Sequence, residues 1–241
     1  MCGIAGFVRG AGVAHPDDGR LLRQMAHLVR RRGPDGEGAW IGPGVGFAHR
    51  RLAVIDLSDA ASQPMTSTDG RYVITYNGEI YNHAEVRREL EAAGAQFSTS
   101  SDTEVILSAF AAWGENALAR LNGMFAFAIW DNLERRLFLA RDRIGKKPLH
   151  YAQVGDDFLF ASEIKSMCAW PAFRRTPNYE AIHHYLSFQY VPAPLTAFDG
   201  VFKLDPGALA WLRPGSAPQT RQYWQLPAPK AGAARPSAER A

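Results

Sequence analysis

The chain has 241 residues, 46% hydrophobic and 21% charged, with 27 Lys and Arg against 24 Asp and Glu. That length can bury a sizeable core in one large domain or two small ones. The composition excludes a disordered chain, and a balance of +3 without a dense basic run gives no case for nucleic acid. The longest apolar stretch, Met124 to Trp130, is far short of the roughly 20 residues of a membrane span, so no membrane partner is expected. MCGIAGFVRG lacks the basic start of a signal peptide. Two cysteines, Cys2 and Cys168, make neither a disulfide framework nor a four-thiolate zinc site. The expectation is a reduced, cytoplasmic, soluble α/β protein.

Cys2 to Val8 reads as a strand. Leu21, Leu22, Met25, Leu28 and Val29 form a helical stripe, capped by Asp17 or Asp18 and ended by Gly33-Pro34. Val45 to Val54 and Tyr72 to Tyr76 read as strands, and Asn77-Gly78 is the strongest turn dipeptide of the chain. Helices follow from about Ala84 to Ala93, stopped by Gly94, and from about Thr103 to Trp113, capped by Ser101 or Asp102. Met124 to Asp131 and Arg136 to Ala140 read as strands, and Tyr151 to Val154 with Phe158 to Ala161 as a hairpin. Short helices are expected at Glu163 to Met167 and Glu180 to Leu186. A last strand pair, Val201 to Lys203 and Ala208 to Leu212, is joined through Asp205-Pro206-Gly207. From Leu226 onward there are six alanines and three prolines in sixteen residues without an apolar period, the composition of a linker or a frayed end.

Cys2 is the most informative position. Removal of Met1 would leave one residue carrying a thiol of ordinary pKa about 8.5 and an α-amine of about 7.7–8.0. That pairs a nucleophile with a base poised near neutral pH, and no catalytic histidine is needed. Read alone, Cys2 is a small buried residue at the start of a strand before it is a nucleophile.

The segments MCGIAGF, RRGPDGEG (31–38), HRRLAVIDL (49–57), YNGEIYN (76–82), SDTEVI (101–106), GMFAFAIWD (123–131), ARDRIGKKPLHY (140–151) and FASEIK (160–165) occur in this order. Together, over residues 2 to about 213, they resemble the N-terminal-nucleophile (class II) glutamine amidotransferase domain of the asparagine synthetase type. The resemblance implies an α+β fold, a four-layer α/β/β/α sandwich with two stacked, mainly antiparallel sheets. It implies hydrolysis of the side-chain amide of L-glutamine by Cys2 through an acyl-enzyme. Asn77 through its side chain and Gly78 through its backbone N–H would form the oxyanion hole. Arg51 would grip the α-carboxylate, backbone atoms of Leu52 and Val54 would hold the substrate, and Asp102 with Glu79 would take the α-ammonium. Read locally, Asn77-Gly78 is a hairpin turn and Asp102 a helix cap before either is a site residue.

Other features read as structural. The run from Arg141 to Lys147 fails the phosphate-loop spacing because Ala140 occupies the first glycine's place. It is expected to be a buried charge network or a domain-facing surface. His183-His184 lacks a third metal ligand, Cys168 is taken as inert, and His150, where the family often has tyrosine, as a packing change. No metal is expected.

The domain is expected to span 2–213 with a linker or tail at 214–241. The Ser-Gly-Gly-x-Asp-Ser loop of an ATP-dependent synthetase domain does not occur, so that domain is expected to be absent from this chain. It would be supplied in cis or in trans. No cofactor is expected for the glutaminase half; ATP and Mg belong to the synthetase step. Trp211, Tyr223 and Trp224 are candidates for surface left exposed without such a partner, and a homodimer stays open. Two alternatives stand beside asparagine formation: an amidotransferase of the same class feeding another acceptor, and a non-catalytic binding domain on the same fold.

Overall fold

A computed structural model describes residues 1–227. In chain order it contains β1 (Gly3–Val8), α1 (Asp18–Leu28), β2 (Gly36–Gly42), β3 (Val45–Arg51), β4 (Met65–Thr66), β5 (Tyr72–Ile80), α2 (His83–Ala92), α3 (Asp102–Trp113), α4 (Ala117–Arg120), β6 (Gly123–Asp131), β7 (Arg136–Arg141), β8 (His150–Val154), β9 (Asp157–Ala161), α5 (Tyr179–Phe188), β10 (Val201–Lys203), β11 (Ala208–Leu212) and β12 (Gln219–Gln222). Two six-stranded sheets form, in the orders β10-β8-β9-β1-β3-β2 and β12-β11-β7-β6-β5-β4. Every strand pair is antiparallel.

Strand alternation produces the layers. In β1, Ile4 and Val8 face one way, joining Phe47, Trp130, Leu139, Phe158 and Phe160 in the core between the sheets. Ala5 and Phe7 face the other way, onto Leu21, Leu22 and Met25 of α1 and onto Trp170. In β5, Val73 points between the sheets, while Ile74, Tyr76 and Ile80 point out onto Val86 and Leu90 of α2 and Val105, Ile106 and Phe110 of α3. The result is the expected sandwich, with helices outside two stacked antiparallel sheets.

Several elements differ from expectation. Asn77-Gly78 is no turn: it lies inside the nine-residue strand β5, with Asn77 opposite Ala126 and Gly78 opposite Phe125. A Cβ on Gly78 would run into Met124 O and come within 2.6 Å of Tyr76 Cε2, so glycine is required there by close approach and not by turn geometry. β3 stops at Arg51, three residues before the expected Val54, because Leu52 onward leaves the sheet as a loop. β2, GEGAWIG, carries no element assignment from the sequence, and it pairs along its whole length with β3. β10 and β11 are not partners: β10 pairs with β8 in one sheet and β11 with β7 in the other. The sheet also continues past 213, since β12 pairs with β11 and Tyr223 donates from its hydroxyl to Arg141 O at 2.9 Å. Trp211 is likewise packed, its ring 4.7 Å from that of Phe138 and its Nε1–H on Glu115 Oε2 at 3.0 Å. Of the expected linker at 214–241, residues 228–241 lie outside the described residues.

Candidate active site

The eight residues singled out by resemblance line one cleft: Cys2, Arg51, Leu52, Val54, Asn77, Gly78, Glu79 and Asp102. Its volume is about 160 Å³, close to that of a cavity that takes one benzene ring, so it suits a ligand of amino-acid size. Alternation explains why they converge. Cys2 shares the parity of Ile4 and Val8 in the first sheet, and His49 and Arg51 that of Phe47; Asn77 and Glu79 share the parity of Val73 in the second sheet. All of them point into the space between the sheets, at the end where β1 begins and β3 gives way to a loop. Polar bonds replace apolar packing across the sheets there: Thr75 Oγ1 donates to Ala48 O at 3.3 Å, and His49 Nε2 lies 3.1 Å from Tyr76 O.

Cys2 is half-buried. Leu52 N–H donates to its Sγ at 3.4 Å, and Sγ lies 3.6 Å from Leu52 O, which accepts from the thiol. Arg32 Nε donates to Cys2 O at 2.9 Å, and Arg32 Nη1 pairs with Glu163 at 3.1 Å. Burial pushes the Cys2 thiol up, and the Leu52 N–H bond, the N-terminal amine, Lys147 and Arg51 pull it back down. Burial also lowers the α-amine, here that of Met1, with Lys147 and Arg32 adding to the effect.

The outer edge of β5 is where donors are exposed. β4 is only two residues long and covers β5 no further than Ile74. Beyond it, the N–H groups of Tyr76, Gly78 and Ile80 point away from β6. Gln63 Oε1 accepts from Tyr76 N at 2.6 Å and Asp102 Oδ2 from Ile80 N at 3.0 Å. Among the described residues nothing accepts from Gly78 N. The side chain of Asn77 is fully buried, and neither its Nδ2 nor its Oδ1 has a hydrogen-bond partner. A buried amide with both ends unpaired is uncommon and costly in a folded protein. Here an unpaired side-chain donor and an unpaired backbone donor sit on adjacent residues in the cleft that holds Cys2.

Arg51 bonds the carbonyls of Ser58 (2.8 Å) and Asp56, which folds the loop after β3 over the cleft; it has no acidic partner among the described residues. Leu52 meets the sulfur with its backbone, and Val54 is exposed at the rim. Ser101 is the cap of α3, accepting from Thr103 N at 3.1 Å. Asp102 is therefore free of that task and turns to β5, where its Oδ2 also accepts from Tyr76 OH at 2.8 Å. Burial pushes its carboxyl up, against the Ile80 and Tyr76 hydrogen bonds.

Six further residues that sequence reading passed over support this cleft. Arg32 of RRGPD holds the Cys2 carbonyl, and Asp35 accepts from Ala53 N at 3.0 Å, pinning the loop. His49, Gln63 and Tyr76 satisfy the β5 edge and Asp102. Lys147 lines the cleft wall. Arg32, Asp35, His49, Tyr76 and Lys147 fall within the ordered segments of the resemblance, which was the available signal; Gln63 lies outside them and carried none. The run Arg141 to Lys147 is partly buried, with Asp142 and Lys147 inside and Ile144 and Lys146 exposed, and among the described residues it is tied by backbone bonds and not by charge pairs: Arg141 donates to the carbonyls of Lys147, Leu204 and Gly145. His150 is half-buried with Nδ1 3.2 Å from Ser162 O. Among the described residues no group of three or more His, Cys, Asp or Glu is placed to hold a metal, and no helix is long and apolar enough to cross a membrane.

Two stacked antiparallel sheets with a cysteine-bearing cleft at one end suit a glutamine amidotransferase domain. Residues 1–224 match the family model of the glutamine amidotransferase domain, and the chain belongs to that family. It is 40% identical over 226 residues to asparagine synthetase [glutamine-hydrolyzing] 1 of Bacillus subtilis, covering 93% of this chain and 35% of that protein. It is 32% identical over 248 residues to putative asparagine synthetase [glutamine-hydrolyzing] 2 of Methanocaldococcus jannaschii, covering 94% of this chain and 47% of that one. The chain thus spans only about a third to a half of these curated relatives. Glutamine phosphoribosylpyrophosphate amidotransferase from B. subtilis shares the fold with a TM-score of 0.67 at 21% identity, over 93% of this chain and 50% of that one.

Proposed function

We propose that Cys2 is the nucleophile that hydrolyses the side-chain amide of L-glutamine, and that the ammonia serves ATP-dependent amidation of aspartate to asparagine on a synthetase domain joined in cis or supplied in trans. The observation that carries the reading is the pair of unpaired donors, Asn77 Nδ2 and Gly78 N, in the one cleft with Cys2. They are preorganised for a negative charge that appears only when the amide carbonyl is attacked.

With Met1 removed, the Cys2 α-amine takes the thiol proton and the sulfur attacks the amide carbon. The carbonyl oxygen becomes an oxyanion held by Asn77 and Gly78. The amine returns its proton to the departing nitrogen, ammonia leaves, and a water activated by the same amine cleaves the thioester to glutamate. Arg51 receives the α-carboxylate; Asp102, with one oxygen unengaged, and Glu79 receive the α-ammonium. ATP and magnesium belong to the synthetase step. Relatives at 40% identity are titled asparagine synthetases, while the phosphoribosylpyrophosphate enzyme shares the fold at 21%; that contrast favours the aspartate route over another acceptor.

Two experiments test the proposal. The purified chain given glutamine should release glutamate and ammonia in equal amounts, indifferent to ATP, and Cys2→Ala should release neither; release that persists in Cys2→Ala overturns the chemistry. A chimera in which this chain replaces the matched segment of the B. subtilis relative should form asparagine from glutamine. A chimera that forms asparagine from free ammonia but not from glutamine overturns the destination.

A further inference from the structure

Lys147 lies in the loop between β7 and β8, is 4% exposed, and lines the cleft that holds Cys2. Its backbone is clamped: its N–H donates to Asp142 Oδ2 at 2.9 Å and its carbonyl accepts from Arg141 Nε at 2.7 Å. Asp142 is the nearest acid in sequence, but its oxygens accept from the N–H groups of Phe125 (3.2 Å), Ile144 (3.3 Å), Lys146 (2.9 Å) and Lys147. It anchors the loop and makes no ion pair with the ammonium. Among the described residues Lys147 Nζ has neither a hydrogen-bond acceptor nor an acidic partner within ion-pairing distance.

The side chain is buried along its stem while the ammonium opens into the cleft, where it has no counter-ion and favours a negative charge nearby. The other charges around this space come from several elements. Arg32, in the turn after α1, is engaged by Glu163 and the Cys2 carbonyl. Arg51 at the end of β3 bonds loop carbonyls. Asp35 accepts from Ala53 N. Glu79 and Asp102 line the far side, and the α-amine sits at the mouth. Before substrate enters, the anion that forms within the cleft is the sulfur of Cys2.

We propose that Lys147 is a positioning residue for the Cys2 sulfur: its ammonium is the fixed counter-charge that stabilises the thiolate from the β7–β8 loop. This rests on Cys2 being the nucleophile. It agrees with the electrostatics of both groups. The Lys147 charge pulls the Cys2 thiol down against burial. Burial and Arg32 hold Lys147 below the ordinary lysine range while the Cys2 charge pulls it back up.

The test is the pH dependence of alkylation by iodoacetamide in a Cys168→Ser background, where Cys2 is the only thiol. A charge at close range moves a thiol by about one pH unit or more. Lys147→Met should therefore raise the midpoint by at least about one pH unit and slow alkylation near pH 7 about tenfold, while Lys147→Arg keeps the midpoint near that of the parent. Thermal unfolding is the second readout: Lys147→Met loses an unpaired charge in the cleft and keeps the backbone bonds to Asp142 and Arg141, so it should unfold no earlier than the parent. Lys147→Gln is the second neutral variant should the first not fold. An unchanged midpoint in the neutral variants, or an equal shift in Lys147→Arg, overturns the proposal. Alkylation reads the thiolate without glutamine, so a midpoint that responds to Lys147 in a protein that turns over no glutamine would retire the glutaminase reading and leave the charge pairing standing.

Discussion

Replacing Asn77 by alanine separates a catalytic donor from a structural residue, because the two roles predict opposite changes in stability. Both polar atoms of the Asn77 side chain are buried without a partner. A group in that state costs the folded protein about 1–3 kcal/mol. Alanine removes the penalty, and the few atoms lost border the cleft, so little closed cavity is created. The variant should unfold at the parent's temperature or a few degrees above it, at roughly 2–4 °C per kcal/mol for a chain of this size. Activity should move the other way. Loss of one oxyanion donor typically lowers kcat by about 10²–10³, and the loss should fall on kcat more than on KM, because the donor is engaged only once charge has developed. Steady-state glutamate release and thermal unfolding on the same preparations supply both numbers. A variant that unfolds several degrees early, or whose KM rises at unchanged kcat, would refute the oxyanion role.

Gly78→Ala places a Cβ against Met124 O and Tyr76 Cε2 and should cost about 1–3 kcal/mol together with most of the activity; denaturant unfolding at parental stability would refute the close approach. Asp102→Asn keeps an oxygen for Tyr76 OH and Ile80 N but loses the charge offered to the substrate ammonium. KM for glutamine should rise steeply, by the equivalent of about 2–5 kcal/mol, with kcat changed less; the reverse pattern would place Asp102 elsewhere. Burial holds His49 and His150 at about 4 against an ordinary 6.5. The unfolded chain therefore binds these protons first, and stability is lost as pH falls from about 6.5 toward 4, by up to about 3 kcal/mol per histidine. Urea titrations near pH 7 and pH 5 check this, and a flat profile, or one that His150→Gln leaves just as steep, would contradict it.

Much of the fold was legible because its signals are local. The stripe from Leu21 to Val29 and the apolar run of β6 need only periodicity to be read. The failures are positions where a long-range contact overrides a local preference. Asn77-Gly78 has the strongest turn chemistry in the chain, yet it is straight because β6 pairs across it and Gln63, His49 and Asp102 take the backbone groups of its open edge. GEGAWIG has glycines where a strand usually has branched residues, and it becomes β2 because β3 offers a full ladder. No local pattern tells that β10 and β11, five residues apart, belong to different sheets. The candidate site residues were reached through the order of the motifs, which brings together residues as distant as Cys2, Asn77 and Asp102. Gln63 escaped because its role is a pair of side-chain contacts, to Tyr76 N and Thr103 Oγ1, that nothing in its immediate sequence announces; Lys147 lies in a motif, but one that reads only as a charge network or a domain-facing surface.

The most direct measurement is covalent capture of the nucleophile. Treating the chain with a diazoketone analogue of glutamine and reading intact mass and peptide maps reports the N-terminus, the stoichiometry and the labelled atom at once. Catalysis by Cys2 predicts one adduct per chain, on a peptide that begins at Cys2 with Met1 gone, and protection by excess glutamine. An adduct on Cys168, an adduct on a chain that still carries Met1, or no adduct in a preparation that hydrolyses glutamine would contradict it.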